Sequence, residues 1–238
     1  MTKAFVFSFL MAISISYSAT VKLPVKLPAK LPAHLPNKIN DTVAPSPELK
    51  KVLKKYSSAK SIDVDLVKTD EKTTLGTKTT SHGNMKYNEG KIYLVLESDK
   101  KVEFYYKDKK INLVEYPDQD FDKNGKRKVT ILTKNKPALI SGLLDLFSNT
   151  DRFLKNFEVL SEKKEKDKLT AHLKPHIQNL KEFTLVIDTS RNLIESIIFV
   201  DEIDTKTTLE LRNLKTDLHI AKSTFEFKSI KSDEVIPE

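Results

Sequence analysis

The sequence predicts a mainly β protein: about eleven regularly spaced, mostly antiparallel strands in a strongly curved sheet or open barrel, with a few short helices. From Ser61 onward, short runs alternate apolar with polar residues, the period of a half-buried strand. Turn signals separate the runs, as in Asn88-Glu89-Gly90, Ser98-Asp99-Lys100, Asp108-Lys109 and Asp122-Lys123-Asn124-Gly125. A helical period takes over in two places, ahead of the first strand and midway along the chain.

The chain opens with an export pattern. Met1-Thr2-Lys3 supplies a short positive region, Ala4 to Ile15 an apolar one, and Ser16-Tyr17-Ser18 the small residues that a signal peptidase reads, so residues 1–18 are expected to be a signal peptide. The apolar stretch is shorter than the roughly 20 residues that span a bilayer. The chain has no Cys and therefore neither an acylation site of its own nor a disulfide. Residues 19–45 read as a spacer built on a fourfold repeat, Val21-Lys22-Leu23-Pro24, Val25-Lys26-Leu27-Pro28, Ala29-Lys30-Leu31-Pro32 and Ala33-His34-Leu35-Pro36. A proline every fourth residue fixes φ and keeps the preceding residue out of the helical region, which gives an extended spacer. Docking of the Lys-Leu repeats on an anionic membrane surface is the alternative.

Residues 46–238 form the domain proper. Ser46 is placed to cap a helix whose first turn holds Pro47, and Leu49, Val52, Leu53 and Tyr56 share one face. Strands are then expected at Ser61 to Lys68, Thr74 to Tyr87, Lys91 to Glu97, Val102 to Lys107, Lys110 to Tyr116 and Lys128 to Thr133. Pro137 to Phe147 puts Leu139, Ile140, Leu143, Leu144 and Phe147 on one side of a helix, and Asn149 or Thr150 caps a further turn through Phe153, Leu154 and Phe157. Two readings of that stripe stand: ordinary core, or the underside of a lid over a ligand cavity. Strands resume at Phe157 to Ser161, Lys168 to Leu173, Glu182 to Asp188, Leu193 to Asp201 and Thr205 to Arg212, before a closing Phe225-Glu226-Phe227.

Composition excludes several functions. The net charge of +8 overstates the basic character of the domain. Lys3, Lys22, Lys26, Lys30 and Lys38 against Asp41 lie ahead of it and leave +4 from residue 48 onward. Arg, the preferred residue for bidentate phosphate and base recognition, occurs only at 127, 152, 191 and 212, so no nucleic-acid partner is expected. The histidines at 34, 82, 172, 176 and 219 lie apart from any nucleophile motif, and five glycines leave no phosphate-cradling loop. No enzyme activity, cofactor or metal is expected. His172 and His176 have a helical zinc spacing, but Pro175 and the alternation of Leu169 to Leu173 argue for a strand there.

From about 48 to 237 the chain resembles the periplasmic outer-membrane lipoprotein carriers of the LolA type. The resemblance rests on Gly83-Asn84-Met85-Lys86-Tyr87, on Ile92 to Leu96 and Val102 to Tyr106, on Asp108-Lys109-Lys110 and Tyr116-Pro117, and on Pro137 ahead of the helical segment. It continues through Asn179-Leu180-Lys181-Glu182-Phe183-Thr184, Ile194, Asp201-Glu202 and Phe225-Glu226-Phe227 before Val235. Asn88-Glu89-Gly90 stands where many carriers have a basic residue and proline, and Val95 where Trp is common.

The resemblance implies a half-open eleven-stranded antiparallel barrel covered by a helical lid, with a hydrophobic cavity for the acyl chains of lipoproteins. It implies a shuttle, a monomer, between an inner-membrane lipoprotein-releasing transporter and an outer-membrane receptor or the outer membrane itself. Tyr93 and Val95 are then expected to face the cavity, and alternation adds Phe183, Leu185, Ile187, Ile197, Phe199, Leu209 and Leu211 to the lid residues Leu139, Ile140, Leu143, Leu144 and Phe147. The alternatives are a related periplasmic lipid-binding or envelope-sensor half-barrel, or a ligand-free structural interaction module. The export pattern makes a first prediction: N-terminal sequencing of protein from a soluble periplasmic extract reads from Ala19.

Overall fold

The computed structural model describes residues 42–72, 74–118, 121–122, 125–133 and 138–237, and in it the first strand of the chain lies in the middle of one sheet. The signal peptide expected over 1–18, the proline repeat of 21–36 and Pro137 lie outside the described residues.

Helix α1 (Pro47–Ser58) begins where the sequence places it: the Ser46 hydroxyl accepts a hydrogen bond from the Leu49 amide at 3.1 Å, with Pro47 in the first turn. Strand β1 (Ser61–Lys72) follows, then β2 (Thr77–Asn88), β3 (Lys91–Glu97), β4 (Lys101–Lys107), β5 (Lys110–Glu115) and β6 (Lys128–Leu132). Glu89 and Gly90 at φ 46° and 80°, and Asp108 and Lys109 at 52° and 64°, form tight turns whose left-handed backbone matches the twist of the strands they join. Helices α2 (Ala138–Ser148) and α3 (Thr150–Asn156) come next, the second capped by the Asn149 side chain, which accepts from the Arg152 amide at 2.8 Å. Strands β7 (Phe157–Glu165), β8 (Lys168–Pro175), β9 (Leu180–Asp188), β10 (Leu193–Asp201) and β11 (Thr205–Thr216) follow. The chain closes with a short 3-10 turn (Lys222–Phe225) and β12 (Glu234–Pro237).

The sheet runs in the order β12-β6-β5-β4-β3-β2-β1-β11-β10-β9-β8-β7 and is unclosed, with β12 and β7 at its two edges. All eleven expected strands occur. The twelfth, β12, was not expected, and it pairs parallel to β6 where every other pairing is antiparallel. Register slips between Asp63 and Asp65, Ile194 and Ser196, and Val159 and Ser161 add twist and bend. On β2 a Cβ at Gly83 would sit 1.9 Å from the Val95 carbonyl oxygen of β3, so the strands approach there as only glycine allows.

The three helices lie on one face of the sheet. Phe147 of α2 packs between Tyr56 of α1 and Tyr87 of β2, with ring centroids 6.2 and 5.4 Å apart, and Phe153 of α3 lies 6.1 Å from Phe183 of β9. On the outer face the C-terminal segment forms a strap. Its start is fixed by the Asp217 amide donating to the Ser61 carbonyl at 2.9 Å and the Ser61 hydroxyl donating to the Leu218 carbonyl at 2.7 Å. It then buries Phe225 against β3 and β4 and sets Phe227 5.9 Å from the Tyr105 ring. The far end is pinned where Arg127 Nε and Nη2 each donate to Asp233 at 2.8 Å.

That clamp titrates. Hydrogen bonds from Arg127 pull the Asp233 carboxyl down to about 2 from an unperturbed 3.8, so its stabilising contribution is complete above about pH 4 and is lost as the pH falls toward 2. Hydrogen exchange read by mass spectrometry is expected to show residues 226–237 losing protection across that window before the central strands do. Arg127→Met is expected to show the same loss at pH 7.

Candidate functional site

The surface beneath the helices is built by register. Leu185 of β9, Ile197 of β10, Leu209 of β11 and Lys68 of β1 stand directly opposite one another across four strands, with Phe183 opposite Phe199 and Leu211 opposite Leu66 in neighbouring rows. Directly opposed residues point the same way, and Phe183 touches α3, so these rows face the helices. The sequence-derived residues Phe183, Leu185, Ile187, Ile197, Phe199 and Leu209 are thus brought together, and all are buried.

The helices fill this surface closely. Phe157 stacks 4.7 Å from Phe153 and 4.4 Å from Phe183, and Leu185 and Ile187 are 0% exposed. The Tyr56 hydroxyl accepts a hydrogen bond from the Ile194 amide at 3.0 Å beside the β10 bulge, and burial pushes its pKa up to about 12. In α2, Ile140, Leu143 and Phe147 are buried as expected, Leu144 is half-buried, and the side chain of Leu139 lies outside the described residues. Leu146, not singled out from sequence, is 0% exposed; its spacing from Leu143 was the available signal. Leu211, Leu94 and Leu96 are half-buried and mark the part of this surface the helices cover least.

Tyr93 and Val95 are a correction. Ile92, next to them on β3, opposes the helix-facing Tyr87, so Tyr93 and Val95 point to the outer face. There Tyr93 joins a polar cluster around Glu103, which is 6% exposed and accepts hydrogen bonds from Lys101 at 2.8 Å, Tyr105 at 2.9 Å, Tyr116 at 3.0 Å and Tyr93 at 3.3 Å. Burial pushes the Glu103 pKa up, but the donors from Lys101, Tyr105 and Tyr116 outweigh it and hold the carboxyl below its ordinary range. Burial and the nearby carboxylate raise Tyr93 to about 12 and Tyr105 further still.

A groove of about 590 Å³ lies at the β9–β10 turn. It is lined by Val186, Ser196 and Glu210, opposed on the outer face, and by Lys168, Arg191 and Arg212. Its charges pair with one another, Lys168 with Glu195 at 2.9 Å and Arg212 with Glu210 at 2.7 Å, as on a solvated face. His172 lies on β8, 3.1 Å from the Thr184 hydroxyl, so it and His176 do not share a helix. Among the described residues no cluster of His, Asp and Glu could hold a metal ion, and no helix is long and apolar enough to cross a membrane.

The described residues form an unclosed sheet with one apolar face under helices. Residues 80–228, more than half of the chain, match the family of the outer membrane lipoprotein carrier protein LolA, and the chain belongs to that family. Its members are carriers and binding domains of the periplasm. Among solved structures the chain is similar to an uncharacterized conserved protein from Thermus thermophilus, at 8% identity and a TM-score of 0.44 over 79% of this chain and 96% of that one. It is also similar to a LolA superfamily protein from Nitrosomonas europaea, at 9% identity and 0.41 over 76% and 96%. In the MucA/MucB complex of Pseudomonas aeruginosa the figures are 11% and 0.40, over 76% of this chain and 60% of that one. No curated protein matches the chain significantly.

The burial pattern separates core from rim. Leu185→Ala is expected to cost about 3 kcal/mol in urea melts, as a fully enclosed leucine, and Leu144→Ala about 1 kcal/mol. Val95→Ala is expected to leave helix packing intact, since it lies on the other face.

Proposed function

We propose that this protein is a periplasmic carrier that shelters the acyl chains of lipoproteins between the sheet and helices α2 and α3 and moves them from the inner to the outer membrane. The observation that carries this reading is the continuous apolar surface from Phe183 to Leu211, covered by helices that belong to a single connection between β6 and β7. Acyl chains gain about 0.8 kcal/mol for each CH₂ removed from water, so acylated cargo crosses an aqueous space only with such a surface to cover it. In the sheltering role we place Phe183, Leu185, Ile187, Ile197, Phe199, Leu209 and Leu211 on the sheet and Leu139, Ile140, Leu143, Leu144 and Phe147 on the helix. The partners are an acylated lipoprotein, an inner-membrane transporter that releases it, and a receptor at the outer membrane or that membrane itself. The signal peptide of residues 1–18 delivers the chain, and the spacer of 19–45 precedes the carrier domain of 46–238.

In this reading the closed packing of Phe153, Phe157 and Phe183 is the unloaded state, and α2 and α3 lift when cargo enters. The same packing favours a second reading, a ligand-free interaction module whose sheet is permanently covered. Pull-downs separate the two: a carrier captures an acylated lipoprotein, fails to capture the same protein with its lipidated Cys replaced, and holds the cargo at high salt, because hydrophobic burial is not screened. Equal capture of both forms, or release on raising salt, removes the carrier reading.

A further inference from the structure

Beyond Leu66 the helix-facing row of β1 changes character. Lys68 stands opposite Leu209 and Ser81, and Asp70 opposite Thr207 and Thr79, so both charged residues point to the same side as Leu66. Lys68 and Asp70 are each 6% exposed, and Thr207 is 0%. Lys68 forms an ion pair with Asp70, whose other oxygen accepts from the Thr207 hydroxyl at 2.6 Å. Both oxygens of Asp70 are therefore used, whereas the Lys68 ammonium has three donors and, among the described residues, Asp70 as its partner. Asp201, another buried carboxylate of the sheet, is committed to its own turn by the Ile203 and Thr205 amides at 3.0 and 2.7 Å.

Stability does not account for this arrangement. Removing two charges from water costs as much as or more than their attraction returns, and a pair of apolar residues of the same size would pack beside Leu66 and Leu209 without that cost. The unused donors of a buried ammonium do account for it, provided a ligand brings an acceptor.

We infer that Lys68, oriented by Asp70 and Thr207, binds an oxygen acceptor at the head of an acyl chain, an ester carbonyl or a carboxylate. The inference rests on the carrier reading and adds its polar specificity: an apolar surface alone takes an alkane as readily as a lipid, whereas a buried donor penalises a chain with no oxygen to offer. Because Asp70 already neutralises Lys68, a neutral ester fits better than a carboxylate, which would add an unbalanced charge.

Competition against a fluorescent acyl probe bound to the full chain, using methyl dodecanoate, dodecanoate and dodecane, tests this. The expected result is that methyl dodecanoate binds about tenfold or more tightly than dodecane, the effect of one charge-assisted hydrogen bond. In the double variant Lys68→Met with Asp70→Leu, which leaves no charge orphaned, dodecane is expected to bind at least as tightly as to the natural protein, since the unsatisfied donors are gone, and the preference to vanish. A double variant that keeps the preference, or natural protein that binds all three equally, overturns the anchor and leaves the carrier reading intact. If none of the three binds, both fall. The comparison of ester with alkane on the natural protein decides the matter whether or not the variant folds, and tighter binding of dodecanoate than of the ester would overturn the assignment of a neutral acceptor.

Discussion

The helices of this protein owe their place to the exclusion of water from one face of one sheet. Their own length would not sustain them: α3 is a seven-residue helix, below what holds together alone in water. What holds it is Phe153 against Phe157 and Phe183, and what holds α2 and α1 to each other and to β2 is Phe147 between Tyr56 and Tyr87. Burial of these rings is non-directional and scales with area, which fixes the helices firmly without a lattice of backbone hydrogen bonds. A cover attached in that manner is strong against water and replaceable by another apolar body.

The outer face obeys a different rule. There β3 and β4 lie under the C-terminal strap, and the outer face carries polar groups that are individually matched: Glu103 with Lys101 and three tyrosines, Arg127 with Asp233. Such contacts are specific in geometry and leave little room for a substitute. The two faces of one sheet therefore carry opposite kinds of attachment, a permissive one toward the helices and an exacting one toward the strap.

Much of this was legible in the sequence. Where a strand has one buried face, as β9 does with Phe183, Leu185 and Ile187, alternation gives both the strand and its inward residues. β3 reads Ile92-Tyr93-Leu94-Val95-Leu96, apolar at both parities, because the helices cover one side and the strap the other, and no alternation remains to assign Tyr93 and Val95 to a face. The apolar alternation of Ile62, Val64 and Leu66 stops before Lys68, whereas β1 runs on to Lys72 with Lys68 and Asp70 at its inward positions. β12 left no pattern at all: it is four residues long, with Val235 and Ile236 exposed. The pairing of Lys68 with Leu209 and of Asp70 with Thr207, distant in the chain, depends on β1 lying beside β11, which no local signal records.

The strand order carries a mechanical consequence. β6 lies next to one edge of the sheet and β7 forms the other, and the segment joining them is the one that carries α2 and α3. The segment that carries α2 and α3 thus runs between opposite margins of the sheet, and the span it has to bridge is set by how strongly the sheet curves.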